Sequence, residues 1–160
     1  MRSLTVSDVM RTEQATASGD EPLPELLDRF LRERRNHIYI VDDEARFLGV
    51  VSLYEASRAL REAADPDTLR ARDVADRHFP TVNPEDRLEK ALDRFWVQDC
   101  ERLPVLESPG SRRLVGTVSK RDILGVYSLE VLHRRVEDEV KAPGPERRAD
   151  ALPGGHGLVR

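Results

Sequence analysis

Gly116-Thr117-Val118-Ser119-Lys120-Arg121-Asp122 rewrites Gly49-Val50-Val51-Ser52-Leu53-Tyr54-Glu55 at an offset of 67 residues. Each stretch reads as an apolar strand ending on a serine, with an acid three residues later at the start of a helix. Upstream the agreement continues at an offset of 65: Leu27-Asp28-Arg29-Phe30 returns as Leu92-Asp93-Arg94-Phe95, Leu23 as Leu88, Thr16 as Thr81 and Asp8-Val9 as Asp73-Val74. The change of offset places a two-residue insertion in the turn between Val41 and Phe47, where length is least constrained. One unit is therefore present twice. Each copy is too short to bury much apolar surface alone, so the expected solution is a face-to-face pair whose junction forms a cleft lined by equivalent positions of both copies.

Around these motifs the chain alternates strand and helix. Leu23, Leu26, Leu27, Phe30 and Leu31 fall at helical spacing opposite Glu25, Asp28, Arg29, Arg32 and Glu33. The second copy has Leu88, Ala91, Leu92, Phe95 and Trp96, approached through Asn83-Pro84. Two apolar runs follow each helix, His37–Val41 with Phe47–Ser52 and Arg102–Leu106 with Leu114–Ser119, which reads as a hairpin. The turns are read as Asp42–Arg46 and Ser108–Arg112, and Pro104 points to an edge strand. A further short strand is expected at Thr16 and again at Thr81. Helices then run from Leu53 to Ala63 and from Lys120 to about Glu139, the latter carrying Ile123, Leu124, Tyr127, Val131 and Leu132. The fold class is thus α/β, with two β-α-β-β-α repeats: residues 1–64, a linker over 65–70 marked by Asp65-Pro66-Asp67, and residues 71–141. Residues 142–160, rich in Pro, Gly and Arg without periodicity, read as a disordered tail.

An apolar fraction of 39% beside 35% charged residues suits a soluble protein with a core, and a net charge of −4 with interspersed signs excludes a continuous nucleic-acid footprint. Among 26 basic residues only Lys90, Lys120 and Lys141 are lysines. Cys100 is the only cysteine, so no intrachain disulfide forms and a reducing cytosol fits. No apolar run approaches a membrane span, and Met1-Arg2-Ser3-Leu4 does not open a secretory signal.

Ser119 followed by Asp122, like Ser52 followed by Glu55, has a plain reading as a helix cap, which is the better reading for any single such motif. The functional reading is that a helix start offers amide donors to phosphate while the acid one turn in accepts hydrogen bonds from the two hydroxyls of a ribose. These residues resemble paired cystathionine-β-synthase (CBS) domains, which pack pseudo-symmetrically as a Bateman module. The resemblance runs over about residues 5–135, through Ser7-Asp8-Val9-Met10, His37–Val41 with Gly49–Ser52, Arg102–Val105 and Leu114–Asp122. It implies an adenine nucleotide (ATP, ADP or AMP) as regulatory ligand, bound between repeats, with the acid of a Gly-x-x-[Ser/Thr]-x-x-Asp pattern on the ribose. Carried over, Thr16, Asn36, His37 and Ile38 meet the adenine opposite Ser119, Lys120, Arg121 and Asp122. A weaker second site takes Ser52, Glu55, Thr81, Arg102 and Leu103, where Leu53-Tyr54 supplies no cation for phosphate and Glu55 adds a methylene.

A narrower resemblance, of Leu4–Met10 and of Leu114 to Arg135, is to the cytosolic CBS pair of prokaryotic ClC-type chloride transporters. It implies a place on the cytosolic face of the membrane, covalently attached to a transmembrane chloride transporter; the repeat begins almost at Met1, as in a chain cut from a larger protein. The long last helix reads separately as the contact of a homodimer. The implied function is non-catalytic sensing of an adenine nucleotide. The alternative is a stand-alone CBS protein or a dimerisation module with no nucleotide. His37, His78, His133 and His156 are too dispersed for a metal site, Asp42-Asp43-Glu44 reads as a solvated turn, Phe95 and Trp96 as helix packing, and Cys100 as an unactivated thiol.

Overall fold

The computed structural model describes residues 3–141, and the expected tail over 142–160 lies outside the described residues. The first half contains α1 (Val6–Val9), β1 (Thr16–Ser18), α2 (Leu23–Glu33), β2 (His37–Val41), β3 (Phe47–Ser52) and α3 (Leu53–Glu62). After a 3-10 turn at Pro66–Thr68 come α4 (Ala71–Val74), α5 (Leu88–Val97), β4 (Arg102–Ser108), β5 (Ser111–Ser119) and α6 (Lys120–Lys141). Of the described residues, 3–123 form one compact unit, and 124–141 continue α6 in a second.

β1 lies parallel to β2, and β2 antiparallel to β3, in a sheet ordered β1-β2-β3. β4 and β5 form the matching hairpin. Beside it Val82 makes only an isolated parallel bridge to Val105, so the strand expected at Thr81 shrinks to one pairing. The two extra residues of the second copy lengthen its strands instead of its turn, which closes at Pro109-Gly110. Pro104 sits inside β4, opposite Thr117, and accepts from the amide of Val82 without having to donate.

α2 buries Leu23, Leu26 and Phe30 against Ile38, Ile40 and Val51 of the sheet and Ala56 of α3. Phe95 is buried in the counterpart helix, but Leu31 is 62% and Trp96 84% exposed, contrary to the packing roles read from helical spacing. Both lie at the edge of their apolar stripes, where a 3.6-residue period turns a side chain out of the core.

The halves exchange their leading segments, and the backbone contacts of the exchange recur in both copies, at the offsets of 65 and 67 residues. The amide of Val6 donates to Asp86 and that of Ala71 to Glu21, at 2.8 and 2.9 Å; Ser7 donates to Pro84 and Arg72 to Gly19, at 2.9 and 3.0 Å. Arg11 then pairs with Thr117 of β5, and Asp76 with Val50 of β3, each through two backbone hydrogen bonds. Residues 69–76, written at the start of the second copy, therefore pack with the first: Ala71 belongs to its core, with Leu69, Val74 and Ala75 against it.

This crossing accounts for the glycines. A Cβ at Gly116 would stand 2.5 Å from the carbonyl oxygen of Arg11, and one at Gly49 2.7 Å from that of Asp76. Gly116→Ala should therefore cost about 1–3 kcal/mol by overpacking. Gly110, where an added Cβ meets nothing within 4 Å, should tolerate alanine within about 0.5 kcal/mol. Thermal melts of the two variants check this.

The interface also holds a buried polar pair. The Thr117 hydroxyl donates to the Leu103 carbonyl at 3.2 Å, so it accepts from the Tyr39 hydroxyl at 2.8 Å. Tyr39→Phe removes one buried bond and should lower stability by about 0.5–1.5 kcal/mol. Thr117→Val strands the Tyr39 donor and should cost about 1–3 kcal/mol. Equal effects in denaturant titrations would show that the pair is not coupled in this way.

Candidate functional site

Two clefts follow from the crossed segments. Each lies where the open end of one hairpin meets the leading segment of the other copy. In the first half His37 pairs with Ser52 across β2 and β3, so the strand start and the helix start are neighbours. The chain arriving from α4 completes a cleft of about 510 Å³ lined by His37, Val50, Ser52, Glu55, Val74, Asp76, Phe79, Gln98 and Asp99. In the second half Arg102 pairs with Ser119, and Arg11 arrives from the first copy. The resulting cleft of about 440 Å³ is lined by Arg11, Glu101, Arg102, Ser119, Arg121 and Asp122.

The antiparallel hairpin corrects the grouping read from the sequence. His37 stands beside Ser52 and Glu55, not beside Ser119 and Asp122, while Arg102 joins Ser119, Arg121 and Asp122. A hairpin brings the first residue of one strand to the last of the next, so both hairpin contributions to a cleft come from the same copy. Ile38 and Leu103 are fully buried and line neither cleft. Thr16 pairs with Tyr39 and accepts Arg29 on its carbonyl, and the exposed Asn36 accepts the amide of Leu53. Neither they nor Thr81 line either cleft. Lys120 sets its ammonium 5.9 Å from the centre of the Phe95 ring and is likewise outside the lining.

Ser52 and Ser119 both act as helix caps, accepting the amides of Glu55 at 3.1 Å and of Asp122 at 2.9 Å. Their acids differ. Glu55 pairs with Arg58 one turn along α3, at 3.3 Å. Asp122 instead accepts the Nε–H of Arg11 at 3.0 Å, a partner 111 residues away. That hydrogen bond, against a smaller opposing effect of burial, holds the Asp122 carboxyl below the usual carboxylate range.

The clefts have opposite electrostatics. Three carboxylates, Glu55, Asp76 and Asp99, line the first together with His37, whose pKa is pushed down by burial against the pull of Asp99. The imidazole tilts against Phe79, ring centres 5.8 Å apart. Three arginines line the second, against Glu101 and Asp122. The swap adds to this contrast, because Arg11 and Asp76 are counterparts at the 65-residue offset; Arg102 in place of His37 and Arg121 in place of Tyr54 supply the rest of the positive charge. Arg11, Glu101, Asp76, Phe79, Gln98 and Asp99 escaped the reading by motif; the constant offset of Arg11 and Asp76 from one another was the only signal available for those two.

Cys100 is buried and its thiol is raised to about 11, chiefly by burial, so it stays protonated at neutral pH. Among the described residues no group of three or more His, Cys, Asp or Glu is placed to hold a metal ion, and no helix is long and apolar enough to cross a membrane. His156 and the side chain of His133 lie outside what is described.

The family model for the CBS domain matches residues 6–62 and again residues 71–129. An uncharacterised protein of Methanopyrus kandleri is 25% identical over 142 residues, covering 88% of this chain and 70% of that protein. Six other curated relatives are longer, all of them enzymes by name, and the chain spans only 22 to 25% of their length. Among solved structures, the CBS domain pair of protein MJ0100 in complex with 5'-methylthioadenosine and S-adenosyl-L-methionine superposes with a TM-score of 0.64 at 19% identity, over 81% of this chain and 99% of that one. The cytosolic domain of the magnesium channel MgtE in complex with ATP gives 0.63 at 25% identity, over 76% of this chain and 48% of that one. With two family matches in register with the two structural copies, the chain belongs to the CBS-domain family and is a tandem CBS pair.

Proposed function

We propose that this CBS pair is a non-catalytic sensor that binds an adenine nucleotide in the arginine-lined cleft. The observation that carries the reading is the joining of Arg11, Arg102 and Arg121 with the capped start of α6 and the Asp122 carboxylate in one cavity of about 440 Å³. Guanidinium groups and helix amides suit phosphate, and a carboxylate suits a vicinal diol. The adenosine-containing ligands named for MJ0100 and MgtE support the ligand class. The cleft of Glu55, Asp76 and Asp99 repels phosphate, so one nucleotide binds per chain.

Regulation follows if the nucleotide prefers one arrangement of the two copies over another, since a ligand shifts an equilibrium only by its differential affinity. The partner we propose is a protein joined to, or associated with, the pair at the cytosolic face of the membrane. The resemblance of Leu4–Met10 and Leu114–Arg135 narrows it to a ClC-type chloride transporter. The parent reading frame tests this: apolar spans of about 20 residues encoded beside this chain support it, and an adjoining enzyme domain overturns it.

A second reading, assembly without a ligand, is favoured by the exposed Leu124, Leu129, Val136 and Val140 of α6, apolar side chains suited to a homodimer contact. Sedimentation of the wild type and of a variant carrying Leu129→Glu and Val136→Glu should give dimer and monomer respectively; the same mass for both overturns the contact.

Calorimetric titration with ATP, ADP and AMP should give one site per chain. Asp122→Ala should weaken it about 10- to 100-fold, the equivalent of about 1.5–3 kcal/mol for charge-assisted hydrogen bonds. Glu55→Ala should leave it unchanged. No heat and no thermal shift at millimolar nucleotide would replace the sensor with the assembly reading.

A further inference from the structure

The carboxylate assigned to the ribose is already engaged. Arg11 Nε holds Asp122 Oδ2 at 3.0 Å, and a diol that takes both carboxylate oxygens must displace it. The backbone of Arg11 is fixed, its amide and carbonyl both bonded to Thr117 at 2.8 Å, so the base of the side chain cannot leave the cleft. Its guanidinium end can turn, being 66% exposed, whereas the side chain of Asp122 is 29% exposed. The counterpart of Arg11 in the other cleft is Asp76, so this device is not a property of the repeat.

Building on the nucleotide reading above, we propose that Arg11 is a specificity-determining latch that favours 5'-phosphorylated adenosine compounds over unphosphorylated ones. An adenosine or thioether analogue that takes Asp122 costs Arg11 this ion pair and brings no anion in exchange. A nucleotide takes the same carboxylate and returns a phosphate to Arg11, beside Arg102 and Arg121. Arg11 thus opposes the first ligand and assists the second. The charge pattern agrees: with Arg11 engaged on phosphate, Asp122 and the diol are matched as acceptor and donors, and no cation in the cleft is stranded.

Adenosine and AMP are titrated calorimetrically into wild type, Arg11→Ala and Arg11→Lys, with thermal melts confirming that each variant folds. Arg11→Ala should bind adenosine about two- to fivefold more tightly, the range of an exposed ion pair. It should bind AMP about tenfold more weakly, so that the preference for AMP collapses, and Arg11→Lys should recover part of it. The Asp122 carboxyl, followed by NMR titration, should rise in Arg11→Ala toward its ordinary value. Adenosine and AMP changing by the same factor, or neither changing, overturns the latch while the nucleotide site stands. Wild type binding neither compound overturns the nucleotide reading, and the latch with it.

Discussion

Two short backbone pairings, Arg11 with Thr117 and Asp76 with Val50, hold this molecule in the form that makes clefts. Each ties the segment leading into one copy to the hairpin of the other. Neither copy has a complete core without its partner's leading residues, as Ala71 in the first core illustrates. The exchange also dictates residue size at the crossing. Gly49 and Gly116 lie next to the pairing residues, and the opposing carbonyl occupies the space a Cβ would need. In chemical terms the glycine of each motif belongs to the crossing, while the serine and acid belong to the cleft.

The same crossing separates the two clefts chemically. The motifs share the serine and the acid, Ser52 with Glu55 and Ser119 with Asp122, but only the second carries a cation, Arg121, into its cleft. Added to this is the residue delivered by the other copy, an arginine to one and an aspartate to the other. Duplication supplies two equivalent cavities, and substitutions at several equivalent positions, Arg11 for Asp76, Arg102 for His37 and Arg121 for Tyr54, give them different charge. The two clefts thus differ in charge without any change in the fold.

Several local readings survive contact with the structure because they depend on neighbours in sequence. The hairpins, α2 and the serine caps are of this kind: Leu23, Leu26 and Phe30 face the sheet because helical spacing puts them there, and Ser52 and Ser119 reach an amide three residues on. The readings that change involve position relative to a distant element. Leu31 and Trp96 share the helical period but lie at the margin of the buried face. The extra residues of the second hairpin extend its strands, since the partner strand can lengthen with them.

That one α/β unit occurs twice, which residues cap α3 and α6, and that an acid follows each cap are all legible along the chain, because repetition, alternation and capping are written in fixed spacings. Which ends share a cleft is set by the folding of the chain in space. His37 falls to Ser52 and Arg102 to Ser119 because antiparallel strands fold back on themselves, and Arg11 falls to Asp122 because the copies trade their leading segments. No spacing within a copy encodes a contact made between copies; burial of a shared core does.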